Sequence, residues 1–167
     1  MPNSTCAPLS TYVVAIGSNR RGRHGAPQAQ VAAAIRAIGD VVATAPIFTT
    51  APVGPSIRRF ANSAVLLETS EDPPELLARL KAIERDFGRR LGQRWGARVI
   101  DLDIILWSGG AWGDAGLTIP HIDFRERRFV LDPLARIAPD WRDPITGLTV
   151  RQLVHRLRAV DQRASRP

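Results

Sequence analysis

Two aspartates interrupt an apolar segment at residues 99–107, and this segment limits the possible folds more than any other part of the chain. It reads VIDLDIILW, and its β-branched and aliphatic residues favour a buried strand. Because side chains alternate between the two faces of a strand, Asp101 and Asp103 share one face. Leu102 and Ile104 then occupy the other face. The chain therefore builds a sheet in which one strand presents two carboxylates side by side.

The segments before this strand alternate between strand and helix patterns. Residues 12–16, 41–50 and 60–69 are rich in β-branched or continuously apolar positions, which indicates three further strands. Residues 28–38 and 71–87 carry apolar side chains at helical spacing, which predicts two helices. The order β-α-β-β-α-β is that of the ferredoxin-like split βαβ pattern. The sequence thus predicts an α+β sandwich with helices on one face of a largely antiparallel sheet.

Further elements follow this pattern within one domain. Residues 129–137 and 148–157 predict two short helices, so extra C-terminal strand and helix elements are expected. The length of 167 residues fits a single domain, and we find no repeat or low-complexity linker that would divide residues 1–167. Residues 1–11 and 158–167 are expected to form a poorly ordered N-terminal extension and tail.

The composition excludes several classes of protein. Apolar residues make up 44% of the chain and charged residues 23%, which is typical of a folded domain and not of a disordered segment. The single Cys6 excludes an intrachain disulfide framework and a cysteine-based zinc site. The chain also lacks an apolar run long enough to span a bilayer. We therefore expect a soluble, cytoplasmic protein without a membrane partner.

Basic residues outnumber acidic residues by 23 to 16, and the excess is concentrated in two places. Residues 151–166 hold five arginines and one acid, which a solvated helix explains without further function. Residues 79–98 hold six arginines and Lys81 against two acids, and such local charge suits a polyanionic ligand. The preference for arginine has two explanations: a GC-rich coding sequence, or a requirement for forked side chains that bind phosphate oxygens in pairs.

The paired carboxylates also have two interpretations. Neighbouring carboxylates suit Mg²⁺, which keeps several waters and takes one or two carboxylates together with ligand phosphates. Alternatively, the two acids lie on a solvated sheet edge. The nearby arginines favour the metal, because carboxylates that hold a cation beside arginines that hold phosphate are typical of phosphoryl-transfer sites.

Other catalytic motifs are absent from the sequence. It contains neither a P-loop nor a Gly-x-Ser-x-Gly nucleophile motif. His24, His121 and His155 lack the spacing of zinc ligands. His121 precedes several arginines, and it has two interpretations: a phosphate contact, or an exposed loop histidine beside a basic helix, which the residues by themselves favour.

Seven segments together resemble the 6-hydroxymethyl-7,8-dihydropterin pyrophosphokinase family of folate biosynthesis. They are AIGSN at 15–19, TAPVGP at 50–55, FANSA at 60–64, IE at 83–84, RWGARVIDLDI at 94–104, IPH at 119–121 and FVLDPL at 129–134. The resemblance extends from about residue 12 to residue 153. The segment at 94–104 is the most specific, because arginines, tryptophan, glycine and both acids recur at fixed spacing.

This resemblance implies a transferase that moves the β,γ-diphosphate of ATP to the hydroxymethyl group of a reduced pterin. The products would be AMP and the pterin diphosphate. It further implies a ferredoxin-like fold and two Mg²⁺ ions. We expect ATP and the reduced pterin as partners, no nucleic acid, and a monomer or weak dimer.

The resemblance also implies roles for individual residues. Asp101 and Asp103 match the magnesium ligands and belong, with Arg89 and Arg98, to the implied catalytic residues. The residues implied in ATP binding are Leu77, Lys81, Arg94, Trp95, Arg98, Ile104, Thr118, His121 and Arg127. The residues implied in pterin binding are Thr50, Val53, Phe60, Asn62, Asp101 and Phe129.

Some positions depart from the family pattern. Leu91 stands where a second loop arginine is usual, although Arg90 precedes it by one place. Ala51 replaces a proline, Ile122 an aromatic residue, and Gly116 an arginine that can contact ATP. These departures concern the rate and the affinity for ATP, since both implied metal ligands are retained.

A basic, ferredoxin-like RNA-binding module without catalysis is the alternative interpretation. Such modules stack single-stranded bases on aromatic residues of their central strands. Tyr12 is the only tyrosine, and aromatic residues are sparse in the predicted strands. The sequence therefore favours the enzyme.

Overall fold

A computed structural model describes residues 8–50, 59–88 and 99–164 of the chain. The strands are β1 (Ser10–Ser18), β2 (Val41–Thr44), β3 (Phe48–Thr50), β4 (Phe60–Thr69), β5 (Asp101–Trp107), β6 (Trp112–Gly113) and β7 (Thr118–Ile119). The helices are α1 (Pro27–Ile38), α2 (Pro73–Asp86), α3 (Arg128–Ile137) and α4 (Val150–Ala164), and a short 3₁₀ helix spans Phe124–Glu126. Within these described ranges, no helix combines the length and the apolar character needed to cross a bilayer.

The described strands form a main antiparallel sheet and a small hairpin. The main sheet has the order β2-β4-β1-β5, and β3 also pairs with β4. β1 lies between β4 and β5 and is antiparallel to both. β5 is therefore an outer strand, and its second edge faces away from β1. The predicted mixture of helices with a largely antiparallel sheet is confirmed.

One face of the sheet is covered by α1 and α2, as predicted. Their apolar stripes, including Val31 and Leu80, pack against inward residues of the strands such as Val14 and Leu102. α2 begins at a capping box: the Asp72 carboxylate accepts from the Glu75 N–H, and the Glu75 carboxylate accepts from the Asp72 N–H, both at 2.9 Å. This cap fixes where α2 starts and therefore which of its side chains face β5.

The opposite face is also covered by helices, which corrects the prediction that helices lie on one face only. α3 packs on β4 and contacts α4, and together they bury a second core that includes Val13, Leu106, Leu131 and Val154. The two faces of β1 are both apolar because each faces its own core. Residues 129–137 and 148–157 were predicted as added helices, but periodicity alone does not say which surface they cover.

Several boundaries differ from those predicted. The strand predicted over residues 41–50 is split, because residues 45–47 include Pro46, which cannot donate to a strand ladder. At the N-terminus, β1 begins at Ser10, inside the expected extension, because it pairs with Thr69 of β4. At the C-terminus, α4 continues to Ala164, inside the expected tail.

Two interactions between α3 and α4 accompany the longer C-terminal helix. Arg158 lies 3.7 Å from the Asp132 carboxylate, and Arg128 lies 3.7 Å from that of Asp161. The last turns of α4 are thus connected electrostatically to α3. This connection explains why the helix extends beyond the apolar residues that predicted it.

A buried carboxylate organises the connection between α3 and α4. The Asp143 side chain is fully buried and accepts two hydrogen bonds of 2.7 Å from Arg125 and one of 2.5 Å from the Thr146 hydroxyl. Burial by itself raises the pKa of Asp143, but the hydrogen bonds from Arg125 and Thr146 outweigh it and lower the pKa to about 2. The charged form of this carboxylate therefore stabilises the folded chain.

Candidate active site

The two aspartates of β5 lie on the same face of the sheet. Asp101 is opposite Gly17 of β1, and Asp103 is opposite Ala15. Between them, Leu102 is buried in the core under α1 and α2. Both carboxylates thus project to the other side of the sheet, as the two-residue period of a strand requires.

Burial and the neighbouring charge disfavour the anionic form of Asp103. Burial raises the pKa of Asp103, and the charge of Asp101 raises it further. His121 and Lys81 act in the opposite direction. A bound cation would compensate for the charge that burial and repulsion disfavour.

The donor set fits a cation that is not held by protein alone. Among the residues that the structure describes, no group of three or more His, Cys, Asp or Glu side chains could enclose a metal ion. Two carboxylates on one strand face remain, which suits Mg²⁺ with waters and ligand phosphates as its other ligands. Zinc, which takes four nitrogen or sulfur ligands in structural sites, does not fit this set.

A row of aligned residues crosses the sheet beside the aspartates. Asp101 pairs with Gly17, Gly17 pairs with Asn62 of β4, and Asn62 pairs with Phe48 of β3. Directly paired residues point to the same face, so all four positions belong to one surface. Adjacent strands are about 4.8 Å apart, which separates the backbones of Asp101 and Asn62 by about 10 Å.

Gly17 lies in the middle of this row and brings no side chain to it. A Cβ atom at Gly17 would lie 3.3 Å from Oδ1 of Asn62, so a side chain here would crowd the amide. The Asn62 side chain is itself almost completely buried. The row therefore has a carboxylate on one side and an amide on the other, and the amide reaches close to the glycine between them.

Aromatic side chains border the same surface. Phe60 lies two residues before Asn62 on β4 and shares its face. Phe129, in the first turn of α3, is 41% exposed, and the Arg127 guanidinium lies 5.8 Å from the centre of its ring. Phe48 has the Arg136 guanidinium 5.9 Å from its ring centre. These rings supply apolar surfaces on which a planar ligand can stack.

Residues on three elements surround the outer edge of β5. α2 and β7 both contact β5, and they carry Lys81 and Thr118. The His121 N–H donates to the Ile105 carbonyl at 3.1 Å, which brings the loop after β7 against β5. Leu77 is half-buried against the first core. Lys81 and His121 therefore contact β5 directly, and Leu77 and Thr118 lie on elements that contact the same strand.

Two of the residues implied in ATP binding do not present a free side chain along this edge. The Ile104 side chain is buried in the first core, on the face opposite to the aspartates, so only its backbone can meet a ligand. Arg127 forms an ion pair of 2.6 Å with Asp123, one turn away in the chain. A phosphate that binds Arg127 must therefore compete with this carboxylate or bind beside it.

Several predicted site residues lie outside the described part of the chain. They are Val53, Arg89, Arg94, Trp95 and Arg98. The departures at Ala51, Arg90 and Leu91 also lie there. The backbone of Thr50 ends β3 and pairs with Phe60.

Sequence reasoning missed two residues that anchor β5. The Ser18 hydroxyl donates to the Val99 carbonyl at 2.5 Å. The buried Glu84 carboxylate accepts from the Leu102 N–H at 2.8 Å. Glu84 did leave a signal, because it occupies an i+8 position relative to Leu76, where the apolar stripe of a helix normally continues.

The sequence matches the family described as 7,8-dihydro-6-hydroxymethylpterin-pyrophosphokinase (HPPK) over residues 13–139. A 2-amino-4-hydroxy-6-hydroxymethyldihydropteridine pyrophosphokinase of Pseudomonas aeruginosa is 39% identical over 142 residues, which cover 81% of this chain and 85% of that protein. The protein of the same name from Synechocystis is 47% identical over 104 residues, or 62% of this chain and 53% of the relative.

Solved structures give the same fold. A Plasmodium falciparum HPPK-DHPS structure matches with a TM-score of 0.76 at 13% identity, over 97% of this chain and 46% of that one. At this identity the likeness shows the fold alone. The chain thus spans about half the length of this structural neighbour.

Proposed function

The chain belongs to the 7,8-dihydro-6-hydroxymethylpterin-pyrophosphokinase family, and from this premise we propose that it transfers the β,γ-diphosphate of ATP to 6-hydroxymethyl-7,8-dihydropterin. The products are AMP and the pterin diphosphate. The relatives carry the name of this ATP-dependent transferase of folate synthesis. The proposal therefore concerns how the residues of this chain perform that reaction.

One arrangement carries the proposal: Asp101, Gly17 and Asn62 lie in a single row on the sheet. The Asn62 amide has a donor and an acceptor, which suits the polar edge of a pterin ring. A ring that lies over Gly17 would direct its hydroxymethyl group towards the carboxylate side. The acceptor hydroxyl and the acidic pair would then lie next to each other.

The two carboxylates are proposed to hold two Mg²⁺ ions. When bound, such ions would neutralise charge on the transferring diphosphate and favour ionisation of the attacking hydroxyl. Burial disfavours the anionic form of Asp103, so a bound cation would stabilise this carboxylate. The rigid pairing of β5 with β1 keeps both carboxylates in place before the substrates arrive.

ATP is proposed to bind along the outer edge of β5. The Leu102 N–H points away from β1, and the two-residue alternation directs the Ile104 backbone groups the same way. A nucleobase beside the Ile104 backbone groups would gain hydrogen bonds from them without any contact to the buried Ile104 side chain. Leu77, Thr118 and His121 border this edge from α2, β7 and the following loop.

The triphosphate would extend from this edge towards the acidic pair. The resemblance assigns its binding to Arg94 and Arg98, with Arg89 and Trp95 in the same segment, and this remains a proposal. Among described residues, His121 and Arg127 are the candidates for phosphate contacts. His121 is close enough to Asp103 to lower the pKa of that carboxyl.

The pterin pocket would be completed by aromatic rings from two elements. Phe60 belongs to β4 and Phe129 to α3, so their relative position depends on the packing of α3 against the sheet. Stacking on such rings excludes water from the ring faces. Thr50 and Val53 are included by resemblance.

The remaining proposals concern architecture and setting. We propose a ferredoxin-like sandwich, and the strand order supports this if β2 and β3 are treated as one broken strand. We further propose a monomer or weak dimer that acts in the cytoplasm without nucleic acid. The covering of the second sheet face by α3 supports the proposal that the chain does not bind nucleic acid, because an RNA-contacting sheet would need that face open.

The proposed reaction has a distinctive product. The chain is incubated with Mg²⁺, ATP and the reduced pterin, and nucleotides are separated over time. Formation of AMP in proportion to pterin diphosphate supports the proposal. Formation of ADP, or of AMP without pterin dependence, contradicts it. Asp103→Asn is the matched control and is expected to give neither product.

A further inference from the structure

Two side chains of α2 reach the outer edge of β5 at Leu102. The Leu102 N–H donates to Oε1 of Glu84 at 2.8 Å, and Nζ of Lys81 lies 2.9 Å from the same oxygen. Nζ of Lys81 also lies 3.5 Å from the Leu102 carbonyl oxygen. One ion pair therefore contacts both backbone polar groups of a single strand residue.

Leu102 is the residue between the two aspartates of the site. All three residues lie opposite residues of β1, with Leu102 opposite Ile16, but the N–H of Leu102 points away from β1 to the other edge of β5. β1 and α2 thus hold alternate residues of β5 from its two sides. On an outer strand these groups would otherwise face water, and the strand could shift or fray.

Stability alone does not explain the Glu84 carboxylate at this position. The Glu84 side chain is completely buried. Burying a charge carries a large desolvation penalty, and a well-packed apolar residue in place of a buried ion pair is often as stable or more stable. The geometry therefore indicates that Glu84 serves to fix a position and not to strengthen the core.

We propose that Glu84, supported by Lys81, is a positioning residue that sets the separation and direction of the Asp101 and Asp103 carboxylates by holding the peptide groups of Leu102. This inference rests on the proposed function, because it assigns the two carboxylates to Mg²⁺. Glu84 acts through the backbone of β5 and does not itself contact the transferring group.

The first test measures the backbone without substrates. Hydrogen exchange followed by NMR reports the Leu102 amide directly, because the bond to Glu84 protects it. Glu84→Ala should speed exchange at Leu102 by about tenfold or more. Glu84→Gln retains an acceptor oxygen and should restore most of the protection.

The second test measures the consequence for the site. The Mg²⁺ concentration for half-maximal AMP formation should rise at least about fivefold in Glu84→Ala, since loosely held carboxylates bind the cation less tightly. Glu84→Gln should stay within about twofold of the wild type. Glu75→Ala is the matched control, because it removes a carboxylate that caps the same helix without contacting β5.

The outcomes separate the positioning role from general destabilisation and from the proposed function. Faster exchange at Leu102 in Glu84→Ala but not in Glu75→Ala, together with rescue by Glu84→Gln, supports the inference. Unchanged exchange in Glu84→Ala overturns it, as does a Gln variant as impaired as the Ala variant. If wild-type protein forms no AMP from ATP and pterin, the proposed function fails, while the exchange data still decide whether Glu84 holds Leu102.

Discussion

Gly17→Ala is expected to weaken pterin binding and leave the fold intact. The added methyl group would lie 3.3 Å from Oδ1 of Asn62, which is closer than an ordinary van der Waals contact and requires the amide to move by a few tenths of an ångström. Gly17 lies within β1 and is not among the glycines with positive φ, so alanine fits its backbone without strain.

The size of the effect follows from what the amide would lose. A shifted Asn62 amide forms poorer hydrogen bonds with the ring, and one buried polar group left without its partner costs about 1–3 kcal/mol. That range corresponds to pterin binding that is about 5- to 150-fold weaker. Binding of Mg-ATP should change by less than about twofold, because the proposed nucleotide edge lies on the far side of β5 from Gly17.

Sequential calorimetric titration separates the two ligands. A non-hydrolysable ATP analogue is titrated first and the reduced pterin second, and thermal denaturation checks the fold. Gly113→Ala is the matched control, since a Cβ there meets no atom within 4 Å. Pterin affinity within twofold of the wild type, or equal losses for both ligands, would refute the proposal that the pterin ring binds beside Gly17 and Asn62.

Three further predictions test the site and the fold. Asp103→Asn should lower kcat by at least about a hundredfold, or about 2.7 kcal/mol, without loss of the native circular dichroism spectrum; retention of more than about a tenth of the activity contradicts metal ligation. Asn62→Ala should weaken pterin binding about ten- to a hundredfold in the same titration, with Mg-ATP binding nearly unchanged. The carboxylate of Asp143, with a pKa of about 2 in the folded chain against 3.8 ordinarily, should contribute about 2 kcal/mol to the free energy of unfolding above pH 4. Urea unfolding should show this contribution lost as the pH falls from 4 towards 2, and a wild-type protein whose pH dependence there matches that of Asp143→Asn would contradict it.

Local patterns in the sequence determined most of the elements. β4 spans Phe60–Thr69, as predicted, because its apolar run follows two charged residues and ends before Ser70 and the acidic start of the next helix. The start of α2 was predictable, because its acidic cap, Asp72, and the prolines in its first turn are local signals. The common face of Asp101 and Asp103 likewise needed only the two-residue period of a strand.

The placement of the C-terminal helices could not be read from the sequence. The apolar stripe of α3 shows that this face is buried against another element, but the stripe does not identify that element. β1 has apolar residues on both faces, which is equally consistent with a buried central strand in several architectures. Only the packing of Val13 against residues such as Leu131 shows that α3 covers the second face.

The candidate site shows the same division between local and long-range information. The sequence by itself indicated candidate residues for the chemistry: the two carboxylates through their place in an apolar strand, and Asn62 through the family resemblance. Strand register decided that Gly17 separates Asn62 from Asp101, and the approach of α2 decided that Glu84 meets Leu102. Register and helix docking depend on how whole apolar surfaces fit together, and a shift by one residue would send every side chain of a strand to the other face. These contacts join residues far apart in the chain, so only the tertiary structure specifies them.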